Sequence, residues 1–315
     1  MNTAQFRVVH AGPFVTFQDG GRPGNMRFGV SASGPMDRQS FTTANLAVGN
    51  QKTATAIEVS MGGLILECVS GAAVCAVIGG KFEIELDGAK HSYGAMLTVN
   101  AGQRLSIRPG ESGSWCYLAL AGNIDTPTWL GKSATHALSG FGGGMLKAGQ
   151  KFTLFNAKVF TPRSPAIVPY KTQPFGGYVR VVLGPQDQHF TTDAKRLFLS
   201  AEFALTDAYD RMGVRLQGPA LTINGSLSMP SEPVLKGSVQ VAGDGVPTVL
   251  LADHQTTGGY PKIATVLACD LDEFVQLRPR QKFRFHAVQP EDAVVLARLA
   301  AIENRSYFDA VRHGE

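Results

Sequence analysis

Val249-Leu250-Leu251-Ala252 runs straight into Asp253-His254-Gln255-Thr256-Thr257-Gly258-Gly259-Tyr260-Pro261-Lys262, and this change of character decides how the chain is read. Four consecutive apolar residues bounded by polar ones mark a buried strand. The ten residues after them are almost all polar, glycine or aromatic, which is the composition of a site. Chemistry needs donors and acceptors at the mouth of a rigid element, and Gly258-Gly259 lets the backbone approach a ligand or take a positive φ. The same residues also suit a hairpin loop whose polar groups satisfy one another.

The whole chain agrees with a β reading. Its 36 glycines and 17 prolines in 315 residues, with many short Val/Ile/Leu/Phe runs, predict a loop-rich, mainly β protein with few helices. That length suits two domains, each with its own core. Lys+Arg of 29 against Asp+Glu of 25 leaves a charge of +4 spread along the sequence. No basic run interleaves with aromatics, which argues against nucleic acid as a partner. No apolar stretch approaches the ~20 residues of a membrane span, and Met1–Gly12 has no apolar core of a leader, so a soluble, cytoplasmic protein is expected. Cys68, Cys75, Cys116 and Cys269 are scattered without a C-x-x-C pair or a histidine at ligand spacing, and are expected to be reduced core residues.

Working back to the start, Phe6–His10 alternates as a first strand, with His10 a paired structural histidine. Two glycine-rich loops then carry Gln18, Asp19, Arg22 and Asp37, a mixture suited to orienting a small polar or anionic ligand through amides and one forked cation. Asp19 and Arg22 could equally pair with each other across a turn. Pro35 to Gly49 reads as a helix with Asp37 in its first turn, so Asp37 is also a candidate helix-terminus charge. Strands are expected at 56–60, 64–68, 74–78, 82–86, 97–99, 105–107 and 115–120. Glu58 lies inside one of them, where a carboxylate must face solvent or find a partner.

A five-residue pattern recurs: Gln103-Arg104-Leu105-Ser106-Ile107, Gln150-Lys151-Phe152-Thr153-Leu154 and Gln281-Lys282-Phe283-Arg284-Phe285. Each reads as a turn followed by an alternating strand, and the copies in both halves hint at two related β-barrels. Gly131-Lys132-Ser133 has the end of a phosphate-binding loop without the glycine five residues earlier, where Thr126 stands. Ser139–Gly144 lacks the G-x-G-x-x-G spacing.

Pro162, Pro165, Pro169 and Pro174 with Gly176-Gly177 mark a linker, dividing the chain into 1–165, a linker over 166–177, and 178–315. Beyond it lie a strand at 178–183 and a polar loop from Gly184 to Phe190, then a helix of about ten residues capped by Thr191 or Thr192. Asp187 and His189, two apart, resemble half of a metal or acid–base site, but no third ligand is visible and no metal is expected. Asp210-Arg211-Met212-Gly213 repeats the acid–Arg–glycine theme, with a plain salt bridge as the competing reading. A last helix over 290–304, with Val295, Leu299 and Ile302 on one face, is expected to dock on the second barrel.

Several of these stretches together resemble the KipA (PxpC) family: Thr16-Phe17-Gln18-Asp19-x-Gly21-Arg22-x-Gly24, Gly29-Val30-x-x-Ser33-Gly34-Pro35-Met36-Asp37, Ala44-Asn45-Leu46-x-Val48-Gly49-Asn50 and Gln255–Ala264. Tyr117–Asp125, Gly184–Phe190 and Asp210–Pro219 add to the match, which covers about residues 5 to 295. The family takes in the C subunits of 5-oxoprolinases, allophanate hydrolase subunit 2-like proteins and the biotin-dependent carboxyltransferase region of urea carboxylase. The resemblance implies a mainly β fold of two barrel-like subdomains, at least one of them cyclophilin-like. It also implies a KipI-like (PxpB) partner and, in a 5-oxoprolinase, a PxpA-like third subunit and ATP used by the complex to open 5-oxoproline to glutamate. Arg22, Asp187, Arg211 and Lys262 are then the candidate catalytic residues. Gln18, Asp19, Asp37, Glu58, His189, Asp210, Asp253, Gln255, Thr256, Thr257, Gly258, Gly259 and Tyr260 are the candidate substrate contacts. A biotin-dependent carboxyltransferase acting on urea, and a non-enzymatic antagonist of a KipI-like kinase inhibitor, stand beside that reading.

Overall fold

The computed structural model describes residues 2–160, 175–224 and 229–313. Most of the expected linker, through residue 174, lies outside them. The described residues group into two compact units, and the grouping is not a single cut. The first takes those of Met1–Arg22, Ser33–Thr172 and Asn304–Glu315; the second takes those of Pro23–Ala32 and Gln173–Glu303.

In the first unit the strands are β1 (Thr3–Ala11), β2 (Thr16–Gln18), β3 (Ala56–Ser60), β4 (Leu64–Ser70), β5 (Ala72–Leu86), β6 (Ala89–His91), β7 (Met96–Asn100), β8 (Arg104–Leu120), β9 (Asn123–Ile124) and β10 (Lys151–Phe155). They make one ten-stranded sheet with the path β2-β3-β8-β4-β1-β10-β9, while β5 branches off β8 and carries β6 and β7. All of these pairings are antiparallel. Inward residues of alternating strands, among them Phe6, Phe17, Leu66 and Phe152, form a buried cluster in which Phe6 stacks on Phe152 at 5.5 Å. Burial of each such side chain contributes roughly 1.5–3 kcal/mol.

The sequence suggests separate strands at 74–78 and 82–86, and again at 105–107 and 115–120. The structure joins each pair into one strand, β5 and β8. The glycines between them mark bulges rather than turns: the β5–β8 register shifts between Gly79 and Lys81 and again between Lys81 and Glu83. At Gly110 an added Cβ would lie 2.1 Å from the Lys81 carbonyl oxygen, so only glycine lets the two strands approach there.

Helix α1 (Arg38–Ala47) starts three residues after the expected Pro35, because Asp37 is its cap rather than part of its first turn: the Asp37 carboxylate accepts from the Ser40 N–H at 2.8 Å. Its Phe41, Ala44 and Leu46 bury against Tyr117, Ala119 and Ile78.

The second unit contains β11 (Tyr178–Leu183), α2 (Thr192–Ser200), β12 (Phe203–Tyr209), β13 (Gly213–Gln217), β14 (Glu232–Pro233), β15 (Ser238–Val241), β16 (Pro247–Leu250), β17 (Thr257–Gly258), β18 (Lys262–Val266), α3 (Leu271–Phe274), β19 (Lys282–Ala287) and the start of α4 (Pro290–His313). Seven of its strands close a barrel in the order β11-β18-β15-β16-β13-β12-β19, and parallel pairing of β11 with β19 shuts it. β14 and β17 form a separate two-stranded ribbon. Phe198 of α2 stacks on Phe285 at 4.4 Å, with Phe203 and Phe283 beside them. Thr191 caps α2, as expected, by accepting from the Ala194 N–H.

The recurring pattern proves to be a turn. In all three copies the glutamine N–H donates to the carbonyl three residues back, at 3.0 Å from Asn100, Lys147 and Arg278. Its side-chain Oε1 accepts the N–H of the same residue at 2.8, 3.0 and 3.2 Å. The residue just before the glutamine has positive φ in each: Gly102 at 86°, Gly149 at 85° and Arg280 at 69°. That is the third position of a type II turn.

The expectation for the last helix is also corrected. α4 runs to His313 rather than stopping at 304, and Val295, Leu299 and Ile302 are 54%, 51% and 65% exposed, not packed on a barrel. Its anchor is the far end, where Tyr307, Phe308 and Val311 join the cluster around Phe41 and Tyr117. No described helix is long and apolar enough to cross a membrane.

Candidate functional site

Gln240 and Lys262 are directly opposite each other on β15 and β18, so their side chains leave the same face of the barrel wall. Both are almost wholly buried, at 4% and 2% exposure. Lys262 is fixed from the neighbouring loop: its N–H donates to Gln186 Oε1 at 3.0 Å, and its carbonyl accepts from the Gln186 N–H at 3.2 Å. The other end of that Gln186 side chain, Nε2, donates to Glu232 Oε2 at 2.5 Å, and the same oxygen lies 3.7 Å from Lys262 Nζ. Gln255 Nε2 donates to Gln240 Oε1 at 3.2 Å. Two donors of this cluster, Lys262 Nζ and Gln240 Nε2, have no hydrogen-bond partner among the described residues. Burying such groups unpaired costs a few kcal/mol each, about the size of a useful ligand contact.

The stretch from Val249 to Lys262 supplies the surround. Val249 and Leu250 lie in β16, with Leu251 and Ala252 buried after it. Thr257 and Gly258 then pair with Pro233 and Glu232 in the ribbon, and the Thr256 carbonyl accepts from the Val234 N–H. A Cβ at Gly258 would lie 2.5 Å from Gln240 Nε2, so glycine is what lets that amide reach the ribbon. Gly259 is close to the Met229 carbonyl, and Tyr260 is half exposed. His254 is buried, its Nδ1 2.6 Å from the Gln255 carbonyl oxygen and its own carbonyl bonded by the Ser31 hydroxyl. Burial pushes this imidazole below its ordinary range.

Other sequence candidates in this unit are committed elsewhere. Arg211 and Asp253 form a fully buried two-point pair, Nε to Oδ2 at 3.0 Å and Nη2 to Oδ1 at 2.9 Å. Asp210 closes a turn by accepting the N–H groups of Met212 and Gly213. Asp187 and His189 occupy one short 3-10 turn, with Asp187 paired to Lys195 Nζ at 3.1 Å. Among the described residues no group of three His, Cys, Asp or Glu is placed to hold a metal ion.

The first unit assembles two further sets. Asp19 accepts from the N–H groups of Gly21 and Ser133, shaping its own loop rather than pairing with Arg22. The Arg22 guanidinium donates to the Ala134 carbonyl and lies 5.0 Å from the centre of the Trp129 ring, whose indole stacks on Phe141 at 4.6 Å. Gln18 is buried and donates to Thr16 and Thr135. Glu58, inside β3, has the partner its burial demands: Oε2 accepts from Tyr117 Oη at 2.8 Å and from the Met36 N–H at 2.9 Å. Tyr117 Oη in turn accepts the Asp37 N–H at 2.8 Å, and burial followed by the Glu58 charge holds the phenol well above its usual range. Glu58 and Asp37 therefore fasten the start of α1. A separate cavity of about 560 Å³ is lined by Asn50, Thr53, Asn123, Asn156 and Lys158.

Sequence reasoning placed Lys262 and Gln255 in the site but passed over Gln186, Glu232 and Gln240. Gln240 carried a signal, since a polar residue between Val239 and Val241 in a buried strand must face away from both. Glu232, in Ser231-Glu232-Pro233, carried none.

Residues 28–287 match the family described as carboxyltransferase domain, subdomain A and B. The chain is 33% identical to the C subunit of the Escherichia coli 5-oxoprolinase over 96% of each chain, and 34% identical to its Haemophilus influenzae counterpart over 95% of this chain and 94% of that one. It is 30% identical to urea amidolyase of Saccharomyces cerevisiae, matching 88% of this chain but only 16% of that protein. Among solved structures, TTHA0988 aligns with TM-score 0.79 and 32% identity, covering 90% of this chain and 55% of that one. Urea amidolyase of K. lactis aligns with TM-score 0.87 and 26% identity, covering 98% of this chain and 20% of that one. This chain thus spans little over half of the first structure and a fifth of the second. With a closed barrel and a ten-stranded sheet, a match across both subdomains and full-length likeness to the bacterial C subunits, the chain belongs to the carboxyltransferase domain family.

Proposed function

We propose that the chain is the C subunit of an ATP-dependent 5-oxoprolinase complex, opening 5-oxoproline to glutamate together with a KipI-like (PxpB) subunit and a PxpA-like subunit. The observation that carries this reading is likeness across the chain: identity to the bacterial 5-oxoprolinase C subunits is 33% and 34% over 96% and 95% of this chain, against 30% over 88% for the Saccharomyces cerevisiae urea amidolyase. The chemistry of the second unit supports it. 5-Oxoproline offers a carboxylate and a lactam carbonyl, both oxygen acceptors, and Lys262 Nζ with Gln240 Nε2 are buried donors in search of acceptors. Of the four candidate catalytic residues, Lys262 is the one aimed into such a cluster. Arg211 is locked to Asp253, Asp187 faces Lys195, and Arg22 holds the loop at Ala134 beneath Trp129.

The glycine-rich loop that leads into α1 does not suit a nucleotide phosphate. The start of α1 is filled by the Asp37 carboxylate, which repels an anion there. ATP is therefore assigned to the complex, and the chain's contribution is to bind and orient the small substrate. The test is reconstitution: the purified chain with its two partners hydrolyses ATP only when 5-oxoproline is present, and releases glutamate. Full activity from the partners without this chain rules the role out.

A second reading has its own support in the TM-score of 0.87 to a urea amidolyase over 98% of this chain. In it the chain moves a carboxylate from carboxybiotin to a urea-like amide. Turnover that is blocked by avidin and depends on urea rather than 5-oxoproline selects it.

A further inference from the structure

We propose that Lys262 and Gln240 form a carboxylate-binding site in the second unit, partly filled in the free chain by its own Glu232, and that a small carboxylate ligand displaces Glu232 from it. The inference deepens the proposed function and rests on it only in choosing 5-oxoproline as the probe.

Three observations carry it. Two donors on facing strands, both at least nine-tenths buried, lack acceptors among the described residues. One carries a single positive charge and the other is a neutral amide. That pair matches an anion of one negative charge with two oxygens, which is a carboxylate; a phosphate dianion brings a charge and an oxygen with no counterpart. The third is the position of Glu232. Its Oε2 faces Lys262 Nζ at 3.7 Å, too far for a hydrogen bond, while being held at 2.5 Å by Gln186 Nε2. A buried ammonium needs an anion near it, and Glu232 supplies one without occupying the hydrogen-bonding position.

Glu232 is also suited to leave. Its side chain is 49% exposed, and its strand β14 is two residues long, paired only with Thr257 and Gly258. A departing carboxylate regains water at little cost, whereas Lys262, at 2%, cannot. Gln186 then keeps Lys262 in place through its main-chain N–H, which donates to the Lys262 carbonyl without involving Glu232. The ligand's carboxylate takes one bond from Nζ and one from Gln240 Nε2. The carboxylate that belongs to the chain thereby competes with the one that does not.

The experiment is calorimetric titration of the full chain with 5-oxoproline, with 2-pyrrolidone as the same ring lacking the carboxylate, and with inorganic phosphate. We expect 5-oxoproline to bind at least about tenfold more tightly than either. Glu232→Gln removes the internal competitor and tightens 5-oxoproline roughly three- to tenfold, an effect a merely structural glutamate does not give. Lys262→Met, close in volume, weakens it more than about tenfold, with a thermal melt to show that the barrel is intact. Absence of binding, equal binding of 2-pyrrolidone, or a Glu232→Gln variant no tighter than the parent overturns the inference. If Lys262→Met fails to fold, the surface variant Glu232→Gln still decides. Carboxylate binding with the expected Glu232→Gln response, in a chain whose reconstituted complex ignores 5-oxoproline, sinks the 5-oxoprolinase reading and leaves this site standing.

Discussion

Asp253 and Arg211 are each other's answer. Arg211 stands out in the sequence within an acid–Arg–glycine stretch and Asp253 at the end of a buried apolar run, and both are candidate site residues; the structure commits them to a buried two-point pair. Removing one member leaves a charge stranded in the interior, so Asp253→Asn is expected to cost roughly 3–5 kcal/mol in denaturant unfolding. Arg211→Met combined with Asp253→Leu is expected to regain most of that loss, because neither charge then needs a partner. A single variant as stable as the parent contradicts the pairing. Asp37 was legible as a helix-terminus charge, since a cap and its helix are neighbours in sequence. Glu58 was legible only as a residue in need of a partner, because Tyr117 is 59 residues away and nothing local names it. Separation along the chain likewise hid Gln186 and Gln240 from Lys262. Their convergence follows from strand register, which no short stretch encodes.

At the scale of elements, the three glutamine turns show what local sequence does encode. The pattern was visible as a repeat, and its cause is a turn whose third position needs positive φ and whose glutamine returns to cap it. Two copies use glycine there and the third uses Arg280, an L-residue in a left-handed conformation. Gly149→Ala is therefore expected to destabilise the first unit by about 1 kcal/mol, whereas Arg280→Gly is neutral or mildly stabilising. Thermal melts of the two variants check this, and a loss of stability in Arg280→Gly counts against it. Strands were also read well where they are flanked by true turns, as at β3 and β11. They were split wrongly at β5 and β8, because glycine marks a close approach of two backbones as readily as a turn, and composition does not distinguish the two.

For the molecule as a whole, α4 shows how burial outranks pattern. Its periodic stripe suggested a docking face, yet the side chains that are covered lie further on, at Tyr307, Phe308 and Val311. Those residues fasten the end of α4 to the cluster that also holds α1. Replacing Tyr307 and Val311 together by alanine is expected to lower the stability of the first unit by about 2–4 kcal/mol, read as a shifted melting transition. An unchanged transition places the anchor elsewhere. Sheet closure has a consequence of its own. A β-rich protein is exposed to unwanted pairing wherever a long strand presents bare amides, but here seven strands return on themselves through β11 and β19. The open path in the other unit terminates in β2, three residues long and bridged to Met145 at Thr16, and in β9, two residues long. Foreign strands therefore meet stubs at both ends of that path, and pairing through backbone ladders is disfavoured there by architecture before any surface charge is counted.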